Sequence, residues 1–93
     1  MYGRAVNEAG EQPGTRAAER FAARLRDVRL ACDVTQAELA HRMRERGYGY
    51  VQQTIVKIEQ LERVVRITEA ADLAASLGVP LGELMRYEHQ EGQ

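Results

Sequence analysis

Apolar residues recur along this chain at intervals of three and four, and no run keeps the two-residue alternation of a strand. That rhythm places side chains on one stripe of a helix, so the predicted fold is all-α. Over residues 15–31 the stripe is Ala18, Phe21, Ala22, Leu25 and Arg29, and Cys32 continues it as a small core residue. A second helix opens on Thr35-Gln36-Ala37-Glu38, a capping box in which Thr35 accepts the Glu38 amide and Glu38 reaches back. Its inner face is Leu39, Ala40 and Met43, with a solvated His41 and Arg42 and Arg44 outside, and it stops near Arg46 because Gly47-Tyr48-Gly49-Tyr50 breaks the pattern. The third helix covers 51–61 with Val51, Ile55 and Ile58 inward. The fourth covers 67–77 with Ile67, Ala70, Ala71, Ala74 and Leu77 inward, ended by Gly78. Pro80 then introduces a short fifth helix, 81–87, carrying Leu84 and Met85.

One residue breaks the stripe rule. Arg29 puts a guanidinium on the face that should be buried, and a buried charge needs a partner. Glu59, four positions after Ile55 at the edge of the third helix's inner face, supplies the carboxylate. A semi-buried Arg29–Glu59 bridge is therefore expected to tie the third helix to the first, in a structural role.

The ends of the chain carry no such pattern. Residues 1–14, with three glycines and Pro13, read as a flexible arm, residues 15–88 as one domain, and 89–93 as a frayed terminus. The single cysteine allows no internal disulfide, and two histidines 48 positions apart give no zinc-ligand spacing. No stretch of 18 uncharged apolar residues is present to span a bilayer, and residues 1–15 lack the apolar core of a signal peptide, so a cytoplasmic location is expected. No nucleophile–base pair, carboxylate dyad, phosphate-cradling glycine loop or metal cluster can be assembled, so neither catalysis nor a cofactor is expected.

The net charge of −1 hides an asymmetry. Residues 16–66 hold eleven basic against seven acidic groups, whereas 67–93 hold one against five. A basic front is compatible with phosphate contact, and solvated helix faces of mixed charge would give the same split. Two short helices around a glycine-containing turn suggest a helix-turn-helix. If their inner faces pack on the first helix, Gln52, Gln53, Thr54, Val56 and Lys57 are left on the outer, N-terminal part of the third, where a recognition helix meets base edges. Glutamine can hold adenine N6 and N7 together, Thr or Val methyls can touch the thymine methyl, and Lys57 can reach a guanine edge or a phosphate.

The run Thr35-Gln36-Ala37-Glu38-Leu39-Ala40, followed by Gln52-Gln53-Thr54-Ile55-Val56-Lys57-Ile58-Glu59, resembles the Cro- and lambda-repressor-like helix-turn-helix family, often called the XRE family. The segment from Leu73 through Pro80 to Met85 resembles that family's closing pattern, so the likeness covers residues 21–85. The resemblance implies a five-helix lambda-repressor-like domain in which Gln36 holds a DNA phosphate at a helix N-terminus. It also implies that Gln52, Gln53 and Lys57 face bases, that Thr54 faces base or backbone, and that an Arg of the first helix pairs with a Glu of the third, the positions of Arg29 and Glu59.

Three departures bear on these expectations. The segment 44–51 is about five residues longer than the family's turn, which predicts an extra turn on the second helix and a wider loop, with Tyr48 and Tyr50 packing or touching a phosphate. Leu61 stands where the family has glycine, which predicts a longer third helix, with Arg63 and Arg66 approaching the DNA backbone beyond it. Asp33 replaces another glycine, and Asp tolerates the left-handed conformation. The function these features imply is a sequence-specific DNA-binding regulator, bacterial or phage-encoded, repressing from a two-fold operator on double-stranded DNA. The homodimer would form through the fourth and fifth helices, with Leu81, Leu84, Met85 and Tyr87 as candidate anchors, although Leu84, and with it Met85, can instead close the chain's own core. The alternative is an antitoxin or protein-interaction module whose main partner is another protein.

Overall fold

The computed structural model describes residues 15–86, so the expected arm, the expected frayed end and Tyr87 lie outside the described residues. Five helices follow in order, α1 (Thr15–Ala31), α2 (Gln36–Glu45), α3 (Gln52–Glu59), α4 (Ile67–Leu77) and α5 (Leu81–Met85), with no strand among the described residues. The chain is all-α. None of these helices is long and apolar enough to cross a membrane.

α2 to α5 are too short to be stable alone, and each of the five helices is held by the stripe it buries. Leu25 of α1, Leu39 and Met43 of α2, Ile55 and Ile58 of α3, Leu73 of α4 and Leu84 of α5 are almost fully enclosed and meet in one core. Burying a side chain of this size contributes about 1.5–3 kcal/mol. α1 packs on α3 and α5, α2 on α3 and α4, and α4 on α5.

Three stripes differ from expectation. On α4, Ile67 and Ala71 are exposed, while Leu73 and Ser76 join Ala70, Ala74 and Leu77 inside. Because α4 is flanked by both α2 and α5, the spacing 70, 73, 74, 77 faces inward and the first turn overhangs the core. The hydroxyl of Ser76 is accommodated there by donating to Met43 Sδ at 3.4 Å. On α1, Ala18 and Cys32 are exposed, since the covered part of the stripe runs only from Ala22 to Arg29. Val51 also faces outward, because it precedes α3 in extended conformation.

The helix ends show how the turns are set. Thr35 Oγ1 accepts the Glu38 amide at 3.0 Å, but the Glu38 carboxylate takes Arg42 Nε at 3.0 Å instead of reaching back, so only half the capping box forms. Asp33 takes the left-handed conformation at φ 61°. Gly78 does so at φ 76°, letting the Val79 amide donate to the Ala74 carbonyl and close α4. α3 does not run on to Leu61. It ends at Glu59, and Leu61 itself turns left-handed at φ 64°, with the Glu62 amide donating to the Lys57 carbonyl at 2.7 Å. A residue with a Cβ pays about 1–2 kcal/mol for that conformation. α5 stops at Met85, two residues before the expected end.

Candidate nucleic-acid interface

The back of α3 is locked by an ion pair. Arg29 Nε and Nη2 reach Glu59 Oε2 and Oε1 at 2.7 and 3.0 Å, and Nη1 donates to the Val34 carbonyl at 2.9 Å. The two side chains are 7% and 4% exposed, so the bridge is more deeply buried than the sequence implied. Gln36, the first residue of α2, adds a third partner: its Nε2 donates to Glu59 Oε1 at 3.0 Å. One carboxylate thus joins α1, the start of α2 and the end of α3.

With Ile55, Ile58 and Glu59 held inward, the opposite face of α3 is left to solvent. Gln52, Gln53 and Lys57 are exposed there, and Gln53 and Lys57, four residues apart, share one side of the helix. Val56 and Thr54 are half-buried, and Thr54 Oγ1 accepts the Val51 amide at 3.1 Å, so this hydroxyl closes the first turn of its own helix.

The two arginines beyond α3 part company. Arg63 is half-buried: its Nη2 meets Glu69 Oε2 at 2.9 Å, and its guanidinium carbon lies 5.2 Å from the centre of the Tyr50 ring. Arg66 is exposed at the start of α4, where its backbone amide donates to Glu69 Oε1 at 3.0 Å. Of the residues expected at the interface, Gln52, Gln53, Lys57 and Arg66 stand on the surface. Gln36, Thr54 and Arg63 are engaged within the chain.

The long connection between α2 and α3 has a role that spacing alone did not disclose. α2 gains no extra turn, and the added residues fold into a packed loop. Tyr50 is 2% exposed and meets the Tyr48 ring edge-on, with centroids 5.6 Å apart. Tyr48 Oη donates to Asp72 Oδ2 at 2.6 Å, and Arg46 Nη1 reaches Asp72 Oδ1 at 3.3 Å. Arg44 Nη1 donates to the Tyr50 carbonyl at 2.8 Å, and Arg42 Nη1 to the Ser76 carbonyl at 2.8 Å. The arginines assigned to the outside of α2 are therefore latches onto the loop and α4. Their signal in the sequence is only a basic residue at every second position, 42, 44 and 46, and only Arg46 has an acidic partner on another helix, Asp72, 26 residues on.

This packing alters the phenols. The bond to Asp72 raises the Tyr48 pKa above its usual 10. Burial, with the charge of Glu69 adding, pushes Tyr50 up to about 12 against the opposing charge of Arg63. Tyr50 Oη is buried without a hydrogen-bond partner. Between loop and helix lies a polar depression of about 300 Å³, lined by Gln53, Thr54, Lys57, Arg63, Tyr48 and Gly49 among others.

α3 thus presents two amides and one ammonium to solvent, and Arg66 adds an exposed guanidinium at the start of α4. Amides can donate and accept in one plane, as base edges require, and the cations suit phosphate. No family model, curated protein or solved structure matches the chain.

Proposed function

We propose that the chain is a sequence-specific DNA-binding regulator of the helix-turn-helix kind, α2 and α3 forming the motif and α3 entering the major groove. A single observation carries this reading: Gln52, Gln53 and Lys57 stand outward on a helix whose opposite face is fixed by the buried Arg29–Glu59 pair. A side chain that reads a base must be presented by a backbone that does not shift when the other groups bind. The glutamines read base edges, Lys57 takes a base edge or a phosphate, and Arg66 takes a phosphate. Gln36 meets a second phosphate at the start of α2, where free amides and the helix dipole favour an anion. In this role the bond to Glu59 orients its amide.

Arg63 acts indirectly, holding the loop against α4 through Tyr50 and Glu69, and Thr54 holds the first turn of α3. The protein represses from a two-fold operator whose half-sites lie about one helical turn, ~34 Å, apart. An antitoxin would use the same DNA face and differ in its protein partner.

Selection of bound fragments from random duplex DNA tests the proposal. Enrichment of one motif repeated about a dyad is expected, with affinity falling as salt rises. Recovery of unenriched DNA, or affinity indifferent to salt, would refute it.

A further inference from the structure

The polar depression between the α2–α3 loop and α3 is walled by two groups that the fold leaves unsatisfied. Tyr50 Oη and Arg63 Nε are both buried without a hydrogen-bond partner, and both residues line the hollow. Buried polar groups are almost always paired, so two orphans in one wall call for a partner from outside the chain. The contrast with Arg29 sharpens the point. Arg29 closes on Glu59 through both Nε and Nη2, whereas Arg63 gives Glu69 only Nη2 and leaves Nε unused beside the Tyr50 ring.

The group that would satisfy both is an acceptor. A guanidinium N–H can only donate, and a phenol with its proton donates as well. Lys57 adds a charged donor at the open side, with no ion-pair partner among the described residues, and the exposed Gln53 amide stands beside it. Glu69 also lines the depression, but Arg63 Nη2 and the Arg66 amide occupy its two oxygens at 2.9 and 3.0 Å. Two cations, Lys57 and Arg63, against that one carboxylate leave the lining with a net charge of +1.

We infer that this depression is the binding site of a small organic acid, whose carboxylate lies between Tyr50 Oη, Arg63 Nε and the Lys57 ammonium. A carboxylate suits these donors because its two oxygens offer about four lone-pair sites and carry one negative charge. Both orphans sit just beneath the surface. The acid reaches them through a side-chain shift of Arg63, which is 34% exposed and held to Glu69 by one bond. At about 300 Å³ the space stands at the lower end of ligand pockets, roughly 300–1,000 Å³. That is room for the body of a small acid, and far more than one phosphate of a DNA backbone fills.

The site is a product of the long loop. Tyr48, Gly49 and Tyr50 come from the segment by which this chain departs from the family it resembles. Gln53 and Lys57 are shared with the proposed base-reading face, so the bound acid competes with the operator and acts as an inducer. That consequence rests on the DNA reading, whereas the site itself does not.

The test is a two-dimensional amide NMR titration of the full chain with sodium acetate and sodium benzoate at constant ionic strength, with sodium chloride as the control. Saturable shifts are expected at the Gln53 and Lys57 amides and at Arg63 Nε–H with at least one of the acids. Tyr50→Phe and Lys57→Gln should each weaken that binding about tenfold or more, as loss of a hydrogen bond to a charged group implies. Tyr50→Phe should melt no lower than wild type, which separates a lost contact from a lost fold. Shifts that never saturate, shifts that chloride reproduces, or variants that bind as tightly as wild type would overturn the inference. In fluorescence anisotropy the acid should weaken operator binding by wild type and leave that of Tyr50→Phe unmoved. If neither acid binds and Tyr50→Phe flattens the salt dependence of DNA affinity, the depression holds a backbone phosphate and the inference falls. Saturable acid binding by a chain that selects no operator would leave the site standing and defeat the proposed function alone.

Discussion

Replacing Arg29 by alanine removes the cation from a carboxylate that is 4% exposed. Glu59 would keep only the amide of Gln36 at 3.0 Å, and the Val34 carbonyl would lose its donor. Breaking a buried pair by deleting one partner costs about 3–5 kcal/mol, because the surviving charge stays desolvated. A 93-residue chain has roughly 5–14 kcal/mol of total stability, so the loss consumes a large fraction of it. At about 4–8 °C per kcal/mol for a domain of this size, the melting temperature should fall by about 12–40 °C in a circular-dichroism melt.

Arg24 provides the internal control. It pairs with Glu83 at 3.1 Å, but with side chains 18% and 40% exposed, so Arg24→Ala should cost only about 1 kcal/mol. Replacing both charges, Arg29→Met with Glu59→Leu, should recover most of the single-variant loss, since apolar packing substitutes well for a buried pair. A fall of under about 5 °C for Arg29→Ala, or a loss no larger than that of Arg24→Ala, would refute the reasoning.

Two other perturbations follow from the same geometry. Gln36→Ala should weaken binding to every DNA sequence alike in fluorescence anisotropy, and a change in base preference would contradict its phosphate role. Tyr50→Phe deletes a buried hydroxyl without a partner, so urea unfolding at pH 7 should show it as stable as wild type or about 1 kcal/mol more so. Its alkaline behaviour should differ. Tyr50 keeps its proton up to about pH 12 in the folded chain and loses it near 10 when unfolded. The wild-type contribution is therefore complete below pH 10 and lost as pH rises towards 12, at up to about 1.4 kcal/mol per pH unit. Tyr50→Phe should lack that component, and equal slopes for the two proteins would exclude it.

The parts of the fold legible in the sequence were those governed by one helix at a time. The extent of α1, the cap at Thr35, the close of α4 at Gly78 and the position of Glu59 all follow from spacing within a segment. The Arg29–Glu59 pair crosses between helices, but it too was accessible, since an arginine on an apolar stripe requires a carboxylate and few positions supply one. What escaped depends on contacts with no periodic signature. Leu61 predicts a longer α3 because it stands where the resembled family has glycine, whereas the chain turns left-handed there without one. The DNA-backbone role of Arg63 rests on the family resemblance alone, and its contacts with Glu69 and the Tyr50 ring have no local spacing that would announce them. Spacing puts Ile67 on the inner stripe, but the first turn of a helix carries no mark of where the core ends, and Ile67 is exposed.

The central claim is that the glutamines on α3 discriminate among bases. It is tested most directly by measuring Gln53→Ala at one salt concentration on the selected operator and on an unrelated duplex. A side chain making a bidentate base contact should lose about 1–3 kcal/mol on the operator, a five- to 150-fold weaker Kd, and almost nothing on the unrelated duplex. Equal losses on both, or none on either, would contradict base reading by this face.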